Sequence, residues 1–394
     1  NIDFYNIFNI LTYNANTDCL LDNKVVNYIK TNLFRRNTNN SVRDEFTLND
    51  INRTVIKLDF TVIERVMYDS YLSLNNKSKH NLYLKQLCCH PNLANKTKKA
   101  LINCKTLDEI NTGMITYNES NLLKQSELLE TCNTNLLDNK LSKNKKDSLI
   151  KKIKNIESTI QKLTTNIKYF KEIIPKLNQQ NECVVCMDKI KNCDIALTSC
   201  GHIYCYECIY KSCIVKNECP TCRTIINKDN IIKLSNDNLE EKDDIINKYG
   251  TKIAHLIKYI KNLLDTTDER CIIFSQFDGL LAKIGNILTE YNINNIFCKG
   301  SVTRRNKSLN SFKYDDNYRV IMLSIKNTAS GINLMCASTV IFLEPVYGNK
   351  DYIISTEKQA ISRVYRIGQK KQINVVHFII KNTVEEEIYN KYNK

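Results

Sequence analysis

Cys183 and Cys186, Cys200 and His202, Cys205 and Cys208, and Cys219 and Cys222 follow one another in close pairs, spaced C-x2-C-x13-C-x-H-x2-C-x2-C-x10-C-x2-C. Thiolate and imidazole donors at this spacing suit zinc, which takes four ligands in a tetrahedron. A C-x2-C knuckle delivers two of them from one tight turn. Four pairs make two sites, so two zinc ions are expected. A disulfide cluster is the alternative, and a histidine within the series speaks against it. So short a segment cannot bury enough apolar surface to fold alone, so metal binding must contribute much of its folding energy. Cys193 and Cys213 lie off this spacing and read as packing residues. Cys88-Cys89-His90 reads the same way, because adjacent cysteines at a helix end do not easily chelate one ion.

A second chemistry sits near the end of the chain. Arg363 and Arg366 stand three apart within QAISRVYRIGQ at 359–369, a spacing that puts them on one helical face. Such a guanidinium fork can reach a terminal phosphate and neutralise charge that develops during phosphoryl transfer. A surface helix laced with salt bridges is the alternative for any R-x-x-R pair.

These residues must be held by elements the sequence also announces. Residues 51–60 (INRTVIKLDF) alternate apolar and polar side chains, as a strand does. Thr61 then caps a helix from Val62. Another helix carries Leu82, Leu84, Leu87 and Cys88 and stops near His90-Pro91, because the residue before proline avoids helical angles. Leu149, Ile153, Ile156, Ile160, Leu163, Ile167, Phe170, Ile174 and Leu177 follow in alternating steps of four and three, a heptad seam. A weaker leucine pattern at Leu122, Leu129 and Leu136 precedes it, with a turn over 139–147. An antiparallel helical hairpin results, or else one long helix that dimerises. From Tyr249 onward, CIIFSQF (271–277), VIMLSI (320–325), TVIFLEP (339–345) and INVVHFII (373–380) alternate with amphipathic stretches. That alternation implies an α/β fold with a parallel sheet and crossover helices.

Composition narrows the class. Lys and Arg number 57 against 42 Asp and Glu, a net charge of +15. The balance favours a polyanion, nucleic acid first, against a merely solvated basic surface. No apolar run approaches the ~18 residues that span a bilayer, so no membrane partner is expected. The scattered thiols suit a reducing compartment, nucleus or cytosol. The chain begins at Asn1 without a signal peptide and is read as a piece of a longer polypeptide.

The zinc-ligand series, with Cys219-Pro220-x-Cys222, resembles RING fingers. That resemblance implies interleaved ligation: Cys183, Cys186, Cys205 and Cys208 hold one zinc, and Cys200, His202, Cys219 and Cys222 the other. It also implies a ubiquitin-conjugating enzyme as partner, contacted by Val185 and Arg223, and no catalytic nucleophile. The expected activity is that of a ubiquitin ligase; Ser212 stands where such fingers often carry a bulky aromatic, and a docking RING without strong ligase activity is the alternative.

QAISRVYRIGQ closely resembles motif VI of Swi/Snf ATPases. CIIFSQF is similar to motif IV, Gly300-Ser301 with Arg305 and Phe312 to the block after it, and LSIKNTASGINL (323–334) to motif V. Asn327-Thr328-Ala329 replaces the usual Ala-Gly-Gly. Thr383-Val384-Glu385-Glu386 matches the family's TVEE tail, LKQLCCHP (84–91) its CCHP helix, Leu33-Phe34-Arg35-Arg36 its LRR segment, and Asn1 to Tyr5 the sequence after motif III. A RING between the motor's halves is typical of the postreplication-repair and SHPRH-like branch.

The resemblance implies a RecA-like helicase C-terminal lobe interrupted by a helical coiled-coil hairpin and a RING. The expected parts are the tail of a first motor lobe (1–45), the start of the second (46–95), the helical insertion (96–180), the RING (181–226), a linker (227–248) and the rest of the second lobe (249–394). Arg363 and Arg366 would complete an ATP site and Gln359 and Gly331 would couple to it. Ser275, Gln276, Lys326 and Asn333 would contact double-stranded DNA. ATP and magnesium are implied for the whole protein. Yet no G-x-x-x-x-G-K-[ST] and no Asp-Glu-x-His box occurs, so both are expected on a first lobe ahead of Asn1, and this chain alone should not hydrolyse ATP. A RING scaffold on an inert lobe is the competing reading.

Overall fold

The computed structural model describes residues 50–74, 82–94, 101, 104, 106–137, 142–173, 182–190, 195–198, 200, 202–226, 231–234, 243–325 and 332–392. The chain divides into two units, residues 1–49 with Arg366–Lys370, and Asp50–Tyr365 with Lys371–Lys394. The readings for 1–45, Cys193, Lys326 to Gly331, Ile174 and Leu177 lie outside the described residues.

Six parallel strands form one sheet: β1 (Ile51–Leu58), β5 (Cys271–Ser275), β6 (Asn295–Phe297), β7 (Val320–Ser324), β8 (Thr339–Phe342) and β9 (Ile373–Ile380), in the order β1-β9-β8-β5-β7-β6. The central strands β5, β7 and β8 are buried along their whole length, which explains their unbroken apolar runs: a parallel sheet covered on both faces leaves no strand face to water. Neighbouring residues alternate between faces. Ile273 packs in one core cluster with Ile257, Leu281 and Phe378, and Ile272 and Phe274 pack in the other with Leu334, Ile361 and Val364. The covering helices include α7 (Thr251–Thr266), α8 (Asp278–Glu290), α9 (Val302–Tyr314), α10 (Lys350–Ile361) and α11 (Val384–Tyr392).

β1 precedes the insertion yet closes one edge of this sheet, pairing from Ile51↔Ile373 to Leu58↔Ile380. After it come α1 (Val62–Leu74) and α2 (Leu82–Cys89). Thr61 and Glu64 form a reciprocal cap on α1: Glu64 N–H donates to Thr61 Oγ1 at 3.3 Å, and Thr61 N–H to Glu64 Oε2 at 3.1 Å. Glu64 also accepts from Thr251 Oγ1 at 2.5 Å. Gly250, at φ +83°, lies between them, and a Cβ there would meet Glu64 Oε1 at 2.7 Å. Arg65 donates to the carbonyls of Lys381 and Asn382 at 2.8 and 3.0 Å. Chain on either side of the insertion thus builds one lobe.

Two long helices, α3 (Leu107–Leu136) and α4 (Lys143–Lys168), fill the insertion and pack as an antiparallel hairpin. Ile156 and Leu163 of the heptad seam are buried, as is Cys132 of α3, and at the root Leu107, Ile110 and Met114 of α3 join Tyr169 and Phe170 in one core cluster. Asn111 Nδ2 donates to Phe170 O at 3.4 Å, and Lys171 pairs with Glu119, fixing the antiparallel sense. The seam is therefore satisfied within one chain. A π-helical turn, Tyr169–Ile173, ends α4.

A second, antiparallel sheet has the order β3-β2-β4, from β2 (Ile195–Leu197), β3 (Ile203–Cys205) and β4 (Ile232–Leu234), with α5 (Tyr206–Val215) following β3. β4 falls in the stretch expected as linker. Ile232 and Leu234 alternate around Lys233 in only three residues, too short a pattern to read as a strand. The same stretch ends in a short helix, α6 (Asp244–Tyr249), capped by Asp243.

Candidate metal centres and motor face

The pairs Cys183/Cys186 and Cys219/Cys222 sit in the same kind of tight turn. Cys183 N–H donates to Asp188 O and Met187 N–H to Cys183 O. Cys219 N–H donates to Thr224 O and Arg223 N–H to Cys219 O. The residue after the second cysteine is left-handed in both, Met187 at φ 60° and Arg223 at φ 57°. Such a conformation costs a side chain little when the turn's own hydrogen bonds hold it. Cys205 ends β3 and Cys208 lies in the first turn of α5.

The eight donors fall into two groups of four: Cys183, Cys186, Cys205 and Cys208, and Cys200, His202, Cys219 and Cys222. Within each, every ligand atom lies within 4.8 Å of the others. This is the interleaved grouping of a RING finger. A zinc tetrahedron with sulfur bonds of about 2.3 Å sets its sulfurs about 3.8 Å apart, and Cys186 Sγ lies 3.8 Å from Cys205 Sγ. His202 turns Nδ1 towards Cys200 and Cys219 at 3.4 and 3.5 Å.

The protons of these thiols compete. Burial, then neighbouring thiols, pushes Cys200 and Cys208 up to about 12. Cys183 falls to about 7 despite its burial, because backbone amides including that of Cys205 donate to it. Cys222 does likewise through Thr224. Crowded sulfurs of this kind fit a divalent cation, which replaces their shared protons. The described residues form no third such cluster. Cys88, Cys89 and Cys213 are buried in the core, and His90 Nε2 lies 2.9 Å from Lys283 Nζ. Val185 in the first knuckle is 43% exposed and Arg223 in the second is exposed, whereas Ser212 is half-buried.

Nothing in the spacing revealed that the hairpin touches this site. Buried Tyr169 donates its hydroxyl to Thr198 O at 2.5 Å, and Lys168 Nζ donates to Cys200 O at 2.9 Å. Thr198 in turn holds both ends of the ligand loop. Its hydroxyl donates to His202 O and accepts from His202 N–H, each at 3.0 Å, and lies 3.2 Å from Cys200 Sγ. The root of α4 is therefore a wall of the second tetrad.

On the larger sheet, the predicted motor residues sit at strand and helix ends. Ser275 is fully buried and donates to Glu344 Oε1 at 2.9 Å, and Gln276 N–H donates to the same oxygen at 2.5 Å. Gln276 Nε2 donates to Pro345 O at 3.0 Å and its Oε1 accepts from Tyr347 N–H at 3.2 Å. Ser275 thus faces the interior, while Gln276, half-buried, is gripped by the 345–347 loop. Glu344, buried completely, has its carboxyl pushed up to about 7. Asn333 Oδ1 accepts from Met335 N–H at 3.1 Å. Gln359 is exposed near the end of α10.

One expectation needs correction. Arg363 and Arg366 were placed on one helical face, but α10 ends at Ile361. Arg363 N–H reaches Ala360 O at 3.2 Å and Val364 N–H reaches Ile361 O at 3.0 Å, the tighter pattern of a turn. The carbonyl of Arg363, which a continuing helix would use, instead accepts from Leu334 N–H at 2.9 Å. A tertiary hydrogen bond from Leu334, in the loop that closes motif V, has replaced the next helical one. Arg363 itself is 8% exposed. In the other unit, Gln369 N–H donates to Arg366 O at 3.0 Å, Gly368 takes φ 95°, and Arg366 is half-buried.

Residues 251–368 match the family model described as helicase conserved C-terminal domain, and residues 181–223 match the ring finger domain model. DNA repair protein RAD5 of Saccharomyces cerevisiae is 29% identical over 330 residues, 78% of this chain and 26% of that protein. DNA repair protein RAD5B of Arabidopsis thaliana is 28% identical over 290 residues, 70% of this chain and 22% of that one. The chain thus spans about a quarter of these relatives' length. The solved C-terminal part of the Fun30 ATPase domain aligns over 88% of this chain and 89% of that one, at 15% identity and a TM-score of 0.41. The fold assignment stands on the sheet order and the matched models instead. The chain thus joins a helicase C-terminal domain to a RING finger, and is similar over most of its length to the DNA repair proteins RAD5 and RAD5B.

Proposed function

We propose that this chain forms the second motor lobe of an ATP-driven double-stranded DNA translocase that acts in DNA repair in the nucleus. The observation that carries the reading is the conjunction, in one chain, of the motif V and VI segments tied at Leu334 and Arg363 with two four-ligand tetrads of RING type. The relatives named as DNA repair proteins support it.

In this reading ATP and magnesium lie between two lobes. The phosphate-cradling loop comes from a partner lobe whose motif these 394 residues do not contain. Arg363 and Arg366 reach the terminal phosphate and stabilise its developing charge. Gln359 and Gly331 relay the nucleotide's state. Gln276, Lys326 and Asn333 contact DNA phosphates, so binding tolerates sequence and weakens with salt. Ser275, turned inward, orients Gln276 rather than touching DNA.

Each RING tetrad holds one zinc ion, through Cys183, Cys186, Cys205 and Cys208, and through Cys200, His202, Cys219 and Cys222. Zinc, when bound, acts structurally: it locks the knuckles that present Val185 and Arg223 to a ubiquitin-conjugating enzyme, which transfers ubiquitin to a target on DNA. The test compares ATP turnover, with and without duplex DNA, by this chain and by a polypeptide that also carries a P-loop lobe. The reading expects no turnover from the first and DNA-stimulated turnover from the second. DNA-independent turnover, or none, from the two-lobe protein refutes it.

A further inference from the structure

The two helices of the hairpin carry opposite charge. α4 holds eight lysines against Asp147 and Glu157, with no arginine and no aromatic residue. α3 holds Asp108, Glu109, Glu119, Glu127 and Glu130 against Lys124. Near the root these charges are engaged: Lys171 pairs with Glu119, and Lys162 and Glu109 also have partners. Lys145, Lys151, Lys152 and Lys154, near the other end of α4, are exposed and form no ion pair among the described residues.

Their placement follows from the seam. With Leu149, Ile153, Ile156 and Ile160 turned towards α3, an α-helical period puts Lys151 and Lys154 on the outer arc and Lys145 and Lys152 together on one flank of the seam. At 1.5 Å per residue, Lys152 stands roughly 24 Å along the helix from Lys168 at the root. The root is fixed by the bonds of Tyr169 and Lys168 to the second tetrad's loop. The result is an arm, rooted at the RING, whose exposed surface on α4 is basic from the outer arc round to one flank of the seam.

We propose that this basic surface of α4, through Lys151, Lys152 and Lys154 with Lys145 beside Lys152, is a second contact for the phosphate backbone of duplex DNA, apart from the motor lobe. The inference rests on the DNA-translocase reading. Charge complementarity selects a polyanion. Lysine alone, without arginine, selects phosphate contact over base reading, because ammonium groups are point charges that lack the planar fork used on base edges. The acidic outer residues of α3 leave only one side of the arm attractive, so the duplex lies along α4. DNA engaged there would bear directly on the helix that walls the second tetrad.

The test is fluorescence anisotropy of a labelled 30-base-pair duplex with the zinc-loaded 394-residue chain, titrated across salt. It compares wild type with Lys151→Gln/Lys152→Gln/Lys154→Gln and with the control Lys248→Gln/Lys261→Gln/Lys391→Gln, which makes the same charge change on the sheet lobe. Helicity by circular dichroism confirms that each variant folds. Each phosphate contact contributes about 0.9 to the slope of log affinity against log salt. The arm variant is expected to lose about 2 to 3 from that slope and more than tenfold in low-salt affinity, and the control to lose neither. Wild-type binding with an arm variant of equal slope overturns the arm and leaves the motor reading standing, and points to an acidic protein as the arm's occupant. A chain that binds no duplex even at low salt overturns both.

Discussion

Lys252 Nζ lies 2.5 and 2.7 Å from the two carboxylate oxygens of Glu385, with both side chains buried. The pair joins the start of α7 to the start of α11. It also receives Ile380 N–H at 3.1 Å and the hydroxyl of Tyr347 at 3.4 Å. Burial alone would favour a neutral lysine, but Glu385 raises Lys252 well above its ordinary value and keeps it charged. This is what the first glutamate of the Thr383-Val384-Glu385-Glu386 tail does. The second caps the chain by accepting from Asn382 N–H at 2.9 Å and pairs with Lys57 at 2.9 Å.

Breaking one half of that pair leaves an isolated buried charge. Glu385→Ala is expected to destabilise the lobe by about 3–5 kcal/mol, whereas Lys252→Met combined with Glu385→Leu should recover most of the loss. Urea denaturation of the three proteins measures it. A double variant as unstable as Glu385→Ala would show that the network, rather than the stranded charge, sets the cost.

Glu344 gives a pH signature. Its carboxyl rises from an ordinary 4.5 to about 7 because burial disfavours the charged form. The folded state then holds a proton that the unfolded state releases between these values. Its contribution to stability is complete below about pH 4.5 and disappears as pH rises through about 7. Glu344→Gln mimics the protonated acid and keeps an oxygen for Ser275 and Gln276. Relative to wild type, the variant should therefore gain stability between pH 5 and pH 8. A stability difference that stays constant over that range would refute the assignment.

Tyr169→Phe tests the wall of the second tetrad. Losing the bond to Thr198 O costs about 1–3 kcal/mol in a buried site. Zinc release to a chromophoric chelator should become biphasic, with one equivalent leaving about tenfold faster or more and the equivalent held by the Cys183 group unchanged. Equal acceleration of both ions would mean general loosening of the finger.

Much of this architecture was legible because its signals are local. The runs at 271–274, 320–323 and 340–342 are unbroken by polar residues because central parallel strands are covered on both sides, and 373–380 is apolar but for Asn374 and His377. The alternating steps from Leu149 to Phe170 expose a seam that one partner helix fills. Ligand spacing carried the close pairs, two of them closed by their own backbone, and the resemblance to RING fingers carried their interleaved grouping. What escaped is tertiary. β6, three half-buried residues, and β4, paired to β2 across the finger, are too short for periodicity. The end of α10 before Arg363 is dictated by Leu334, from a distant segment. Ser275 reads as exposed within Phe-Ser-Gln, and only the buried carboxylate of Glu344 turns it inward. A lone acid closing the apolar run TVIFLE was the available signal for that carboxylate.

The central claim is that Arg363 acts on nucleotide across the lobe interface. Its most direct test is DNA-stimulated ATP turnover by the two-lobe protein carrying Arg363→Lys, which keeps the charge and most of the packing, beside Arg363→Ala. Loss of a guanidinium that stabilises the transferring phosphoryl group predicts a fall of about 10³ or more for both, with duplex binding and thermal stability of the lysine variant retained. Turnover by the lysine variant at the wild-type rate would contradict the account.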